Sequence, residues 1–229
     1  MNRRVNFSKW IRLMRPILAL IALVAWGLVG FPLTREFSSH SAVVTLVGLM
    51  ALMLIRKWFD FRFAETSFKK SYTKRDLSQF IRILIGLAWQ LPIFWVFNPA
   101  LDFANYEGSS LLLLLGVVLC LCGLLVFFRA HADLGAGFSP TLVIKDKHQL
   151  ITAGIYTRVR HPMYLGLLIY FGGQAFVAHN LVVGVGGLLG IMLLVTFRLE
   201  REEQMLIDEF GDEYKAYADR SHRLIPGVL

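Results

Sequence analysis

Cysteine, proline and charge are all scarce in this chain. Its 229 residues include two cysteines and seven prolines, and only 17% are charged. Cys120 and Cys122 stand two apart in an apolar run, a spacing that points them to different faces of a helix. Neither a disulfide nor a two-ligand metal clip is supported. His131, His148, His179 and His222 show no metal-ligand spacing, so no metal is expected. Leu134-Gly-Ala-Gly-Phe138 lacks the strand–turn–helix context of a dinucleotide loop, and there is no Ser or Cys nucleophile elbow. Internal repeats and low-complexity tracts are missing too.

What the chain has is grease. Apolar residues make up 56%, with a mean hydropathy of +0.57, too much for a soluble domain of this size. Six runs read as membrane spans, roughly 16–33, 41–55, 80–101, 110–128, 164–178 and 181–197. The second and fifth are short for a bilayer core of about 30 Å and are expected to tilt, extend or enter part-way. The expected fold is all-α: a polytopic bundle of about six spans with a C-terminal helical hairpin, a cytoplasmic loop and a C-terminal amphipathic helix.

Lys and Arg supply an independent test. Counted from the amino terminus, with Arg82 set aside, the tail and successive loops hold five, one, seven, none, five, none and five. Rich and poor segments alternate, as the positive-inside rule expects for six crossings with both termini cytoplasmic. Because the basic residues are spread over four juxtamembrane segments, nucleic acid is an unnecessary partner and membrane lipid headgroups a fitting one. The basic start followed by an apolar run imitates a secretory signal, but no small-residue cleavage site precedes Phe31-Pro32, so it is read as a retained first span.

The chain divides at Arg129. Residues 1–128 hold four expected spans and no clustering of chemistry. Residues 129–229 carry a turn-rich loop, the hairpin breaking near His179-Asn180, and a final helix. Within the loop, Thr141–Ile144 and Gln149–Thr152 look extended. In the final helix Leu199, Leu206, Phe210, Tyr214 and Tyr217 recur at helical spacing.

The candidate chemistry sits at Arg160-His161-Pro162. Pro is favoured in the first helical turn, so this helix directs free backbone N–H groups at the rim, a ready anion site strengthened by Arg158 and Arg160. A plain juxtamembrane anchor on lipid phosphate is the alternative. Glu202 and Glu203 follow about forty residues later. Glu203 lies on the apolar stripe and, as a buried carboxylate, needs a partner: Arg160, His161, Arg201 or a ligand. Glu202 lies about 100° round, near Arg198. Tyr156, Tyr164 and Phe138 offer aromatic surface that suits a sulfonium or adenine.

Ala132-Asp-Leu-Gly, Phe138-Ser-Pro140, His148-Gln-Leu-Ile-Thr-Ala-Gly-Ile-Tyr156, Arg160-His-Pro-Met-Tyr-Leu-Gly166, Glu202-Glu203 and the tail Phe210-Gly-Asp-Glu-Tyr214 together resemble the isoprenylcysteine carboxyl methyltransferase family. The resemblance covers roughly residues 130–226. Ile155 stands where proline is common in that family, and Phe138 where tryptophan is common.

The resemblance implies an S-adenosyl-L-methionine-dependent methyltransferase built inside the membrane. Gly154, Tyr156, Arg160, His161, Pro162, Tyr164 and Gly166 would line the cofactor site, completed by Glu202 and Glu203, with Arg160 and Glu203 as the catalytic pair. A lipophilic or lipidated acceptor would arrive laterally from the bilayer. Prenylcysteine carboxylate, a phospholipid amine, a small thiol or another lipophilic acid would all serve. An NADPH-dependent membrane reductase of the sterol-reductase type and a non-enzymatic scaffold are the competing readings.

Overall fold

The computed structural model describes residues 40–63, 68–71, 88–135, 143–145, 149–225 and 227. The expected first span, the beginning of the third, Phe138 and Pro226 lie outside them.

Three of the described helices are long and apolar enough to cross a membrane: α1 (His40–Arg62), α3 (Ser110–Leu134) and α5 (Leu181–Phe210). Two are apolar but shorter, α2 (Ala88–Phe97) and α4 (Pro162–Val177). At 1.5 Å per residue α1 is about 35 Å long, so the second expected span extends beyond its short apolar run, one of the outcomes expected for it. Its helix runs past the apolar stretch into Arg56–Arg62, where Arg56 and Lys57 pair with Asp60 at 3.3 and 3.4 Å, one helical turn on. The fifth does remain short, at about 24 Å. By contrast α5 reaches about 45 Å, so its last turns, from Arg198 onward, emerge from the apolar stretch.

Local chemistry sets the boundaries. The Ser109 hydroxyl accepts from Leu112 N at 3.2 Å to start α3, and the Asn180 side chain accepts from Val183 N at 3.0 Å to start α5. Asn180 also donates to Leu101 O and Asn105 Oδ1, both at 2.7 Å, tying the hairpin turn to the loop that precedes α3. Gly211, at φ +55, ends α5 and lets the short α6 (Asp212–Asp219) turn off it.

The outward faces are apolar. On α1, Val43, Val47, Met50, Leu54, Trp58 and Phe61 form an exposed stripe at helical spacing, a surface that suits lipid. Inside, α4 packs most extensively on α3. Added Cβ atoms at Gly116, Gly123, Gly166 and Gly173 would lie 2.6–2.9 Å from atoms of the facing helix, mostly backbone. These four glycines therefore set the α3–α4 separation. Not every glycine of the hairpin lies between its two helices. Gly173 faces α3, and Gly172 has nothing within 4 Å, while Gly184 does meet Ala175 of α4. Gln174 Nε2 donates to Thr45 Oγ1 at 2.7 Å, joining α4 to α1 within the apolar layer.

The rest of the described loop structure is small. Strands β1 (Phe68–Ser71) and β2 (Val143–Lys145) form an antiparallel ladder that joins the loops after α1 and α3. The extended reading of 141–144 thus holds in part. Residues 149–152 form no strand, since their backbone has no partner to ladder with among the described residues. Cys120 is buried and Cys122 exposed, as their spacing required.

Candidate active site

The rim where α1 and α3 end and α4 begins gathers the charged residues. Pro162 opens α4, and His161 N donates to Arg223 O at 3.2 Å. Backbone pairing continues upstream: Arg160 N donates to His222 O at 2.8 Å, and His222 N to Arg158 O at 2.9 Å. The C-terminal segment after α6 is thereby laid beside the segment that enters α4.

Glu203 is the centre of the first cluster, at 9% exposure. Its Oε1 accepts from Arg160 Nε at 2.9 Å and meets His161 Nε2 at 3.2 Å. Its Oε2 accepts from Arg223 Nε at 3.0 Å and Arg223 Nη2 at 2.8 Å. Burial alone would raise the pKa of this carboxyl. The hydrogen bonds from His161, Arg223 and Arg160 outweigh it and hold Glu203 well below the usual carboxylate range. The same Arg160 guanidinium donates through Nη1 to Ala218 O, at 2.8 Å, and to Ser221 O. Arg160 and Glu203 are therefore already engaged with each other and with the C-terminal segment.

A second cluster lies one helical step round α5. The Tyr164 hydroxyl donates to Glu202 Oε2 at 2.5 Å. The Arg198 guanidinium carbon stands 5.9 Å from the Tyr164 ring centre, and the His161 ring stacks on that of Tyr164 at 5.9 Å and 23°. Arg198 Nε is buried and has no hydrogen-bond partner among the described residues. A buried guanidinium donor left open beside an aromatic ring and a carboxylate is a costly arrangement unless something polar meets it.

The remaining motif residues have other neighbours. Gly154 and Tyr156 lie in a 3₁₀ turn, Gly154–Thr157, against the end of α3, where the buried Tyr156 hydroxyl donates to Ala130 O at 3.2 Å. Tyr217 of α6 donates to Tyr156 O at 2.7 Å, its hydroxyl pushed up to about 12 by burial and so fully protonated. Gly166 faces α3, where an added Cβ would sit 2.8 Å from Phe127 N. So Arg160, His161 and Glu203 meet directly, and Tyr164 meets Glu202. Gly154 and Gly166 touch neither acid in any contact described above.

Sequence reasoning missed Arg223, Asp133 and Tyr217 as contributors. Tyr217 carries a signal in its place on the amphipathic stripe and Asp133 one in the Ala132-Asp-Leu-Gly motif, whereas Arg223 carries none. Arg201, named as a possible partner of Glu203, is exposed.

Comparison with known proteins gives a consistent match. Residues 114–208 fit the family model of isoprenylcysteine carboxyl methyltransferases. A probable protein-S-isoprenylcysteine O-methyltransferase of Oryza sativa subsp. indica is 35% identical over 135 residues, which span 57% of this chain and 70% of that protein. The protein-S-isoprenylcysteine O-methyltransferase of Dictyostelium discoideum is 28% identical over 161 residues, 69% of this chain and 65% of that one. A solved structure of the eukaryotic intramembrane Ras methyltransferase superposes with a TM-score of 0.57 at 22% identity, covering 83% of this chain and 69% of that one. That last likeness is one of fold.

Proposed function

This chain belongs to the isoprenylcysteine carboxyl methyltransferase family and is an integral-membrane methyltransferase, and we propose that it methylates the carboxylate of an isoprenylcysteine with S-adenosyl-L-methionine as donor. The observation that carries the donor assignment is the layer Arg198–Tyr164–Glu202 beside His161, with one guanidinium N–H buried and open. A methionyl group offers a carboxylate for Arg198 and an amine for Glu202, and its sulfonium suits the aromatic faces of Tyr164 and His161. When bound, the donor supplies an electrophilic methyl group. The chain's own part is to orient the reactants and exclude water, since a carboxylate nucleophile needs little acid–base help.

This reading redistributes the roles suggested by the motif. Arg160 and Glu203, with Arg223, form a clasp that docks the C-terminal segment and orients His161, which stands between the two clusters. Glu202, Tyr164, Arg198 and His161 are the residues proposed to meet the donor. The acceptor's apolar tail enters from the bilayer along the exposed faces, and the charged rim faces the cytoplasm, in keeping with the Lys and Arg distribution.

A thermal-shift comparison in detergent tests the donor. S-adenosylhomocysteine is expected to raise the unfolding midpoint and NADPH to leave it unchanged; the reverse would turn the reading toward a reductase. Incubating membranes with methyl-labelled donor and a prenylcysteine tests the acceptor, and labelled ester is the expected product.

A further inference from the structure

We infer that Asp133, at the end of α3, is a positioning residue for the donor site, an inference that rests on the methyl-donor reading above. Asp133 is 16% exposed in its side chain, and its Oδ2 accepts the Ile155 N–H at 2.8 Å, capping the Gly154–Thr157 turn from another helix. Three residues earlier on the same face, Ala130 O accepts the Tyr156 hydroxyl. Two adjacent residues of the turn are thus held by one face of α3.

Gly154 completes the fit. Its φ is +64, and a Cβ built there would lie 2.2 Å from Asp133 Oδ2. The carboxylate occupies the room a side chain would need, so glycine at this position answers to Asp133 by contact as well as by backbone conformation. The exposed partner Arg129, at 3.3 Å and 67% exposure, adds little in comparison.

The turn passes this hold onward. Tyr156 O takes the Tyr217 hydroxyl, and the backbone from Arg158 to His161 pairs with His222 and Arg223 before entering α4 at Pro162. His161 and Tyr164 are therefore reached by a short backbone run whose far end is fixed by the C-terminal segment and whose near end is fixed by Asp133. Release of the near end lets the run shift, and the His161–Tyr164 stack with it.

The test compares full-length wild type, Asp133→Ala, Asp133→Asn and Arg129→Ala in detergent, by amide hydrogen exchange over 153–161 and by affinity for S-adenosylhomocysteine. Asp133→Ala is expected to speed exchange at Ile155 and Tyr156 and to weaken binding about tenfold, the scale of one charge-assisted hydrogen bond. It should raise the donor KM by a similar factor while kcat changes little. Asp133→Asn keeps an accepting oxygen and should fall between, which also covers the case in which the alanine variant folds poorly; Arg129→Ala should behave as wild type. Unchanged exchange in Asp133→Ala, or faster exchange with unchanged affinity, overturns the inference. Absence of binding by the wild type overturns the donor reading instead, and the exchange comparison then judges the hold of Asp133 on the turn by itself.

Discussion

Arg223 places two guanidinium nitrogens on a single oxygen of Glu203, Nε at 3.0 Å and Nη2 at 2.8 Å, while Arg160 and His161 occupy the other oxygen. One carboxylate thereby joins three segments: the entry to α4, the emergent turns of α5 and the stretch after α6. Such a group cannot be neutralised without leaving cations unpaired in a partly buried site.

Glu203→Gln should therefore loosen the C-terminal segment, at a cost of about 3 kcal/mol at neutral pH. Limited proteolysis should cut the variant after α6 where it spares the wild type. Because the folded pKa of Glu203 is depressed, its contribution is complete above the ordinary carboxylate value and is lost as pH falls through the folded value. The gap in unfolding midpoint between wild type and variant should stay constant from about pH 7 to 5 and begin to narrow below about pH 4. A gap that widens on acidification would contradict the charge assignment.

Arg223 lies outside the segment 114–208 that matches the family model, yet it should matter as much as Arg160. Arg223→Ala is expected to lower the unfolding midpoint and to weaken S-adenosylhomocysteine binding. Arg223→Lys should recover only part of either, because an ammonium cannot reproduce the two-nitrogen contact. Full recovery by lysine would reduce the contact to simple charge.

Tyr164→Phe removes the hydroxyl that Glu202 accepts from, without touching the clasp. Donor affinity should fall about tenfold while the unfolding midpoint moves little. Glu202→Gln should act in the same direction, and the double variant should lose less than the two single losses combined, since both remove one contact. Additive losses in isothermal binding would separate the two residues.

Gly166→Ala should behave in the opposite way. Its Cβ would press on Phe127 N at 2.8 Å and Phe127 Cα at 3.1 Å, backbone atoms that can yield only if the helices part. A loss of about 2 kcal/mol in stability is expected, with donor affinity of the folded protein retained. Circular dichroism melting with a binding isotherm at low temperature distinguishes this from a donor contact.

Much of this arrangement is written in local chemistry. Apolar runs mark α1, α3 and α5, Asn180 marks the hairpin turn, and Pro162 marks the start of α4. The spacing of Glu203 from Leu199 puts it on the buried stripe and demands a partner. Arg160 and His161 are legible as its partners because they share its rim. Arg223 is not, because twenty residues and a helix separate it from Glu203 and no periodic pattern spans that gap. The adjacent acids also look alike in sequence, although one is locked in a clasp and the other meets Tyr164.

Hydropathy and motif spacing mark the membrane class, the long apolar helices among the described residues and the rim where the charged residues gather, because transfer free energy and helical period act residue by residue. Which carboxylate is engaged by which cation, that Gly166 serves α3, and that Asp133 caps a turn 22 residues away are settled by packing. Those pairings depend on where three chain segments come together, and no property of any one of them contains that distance.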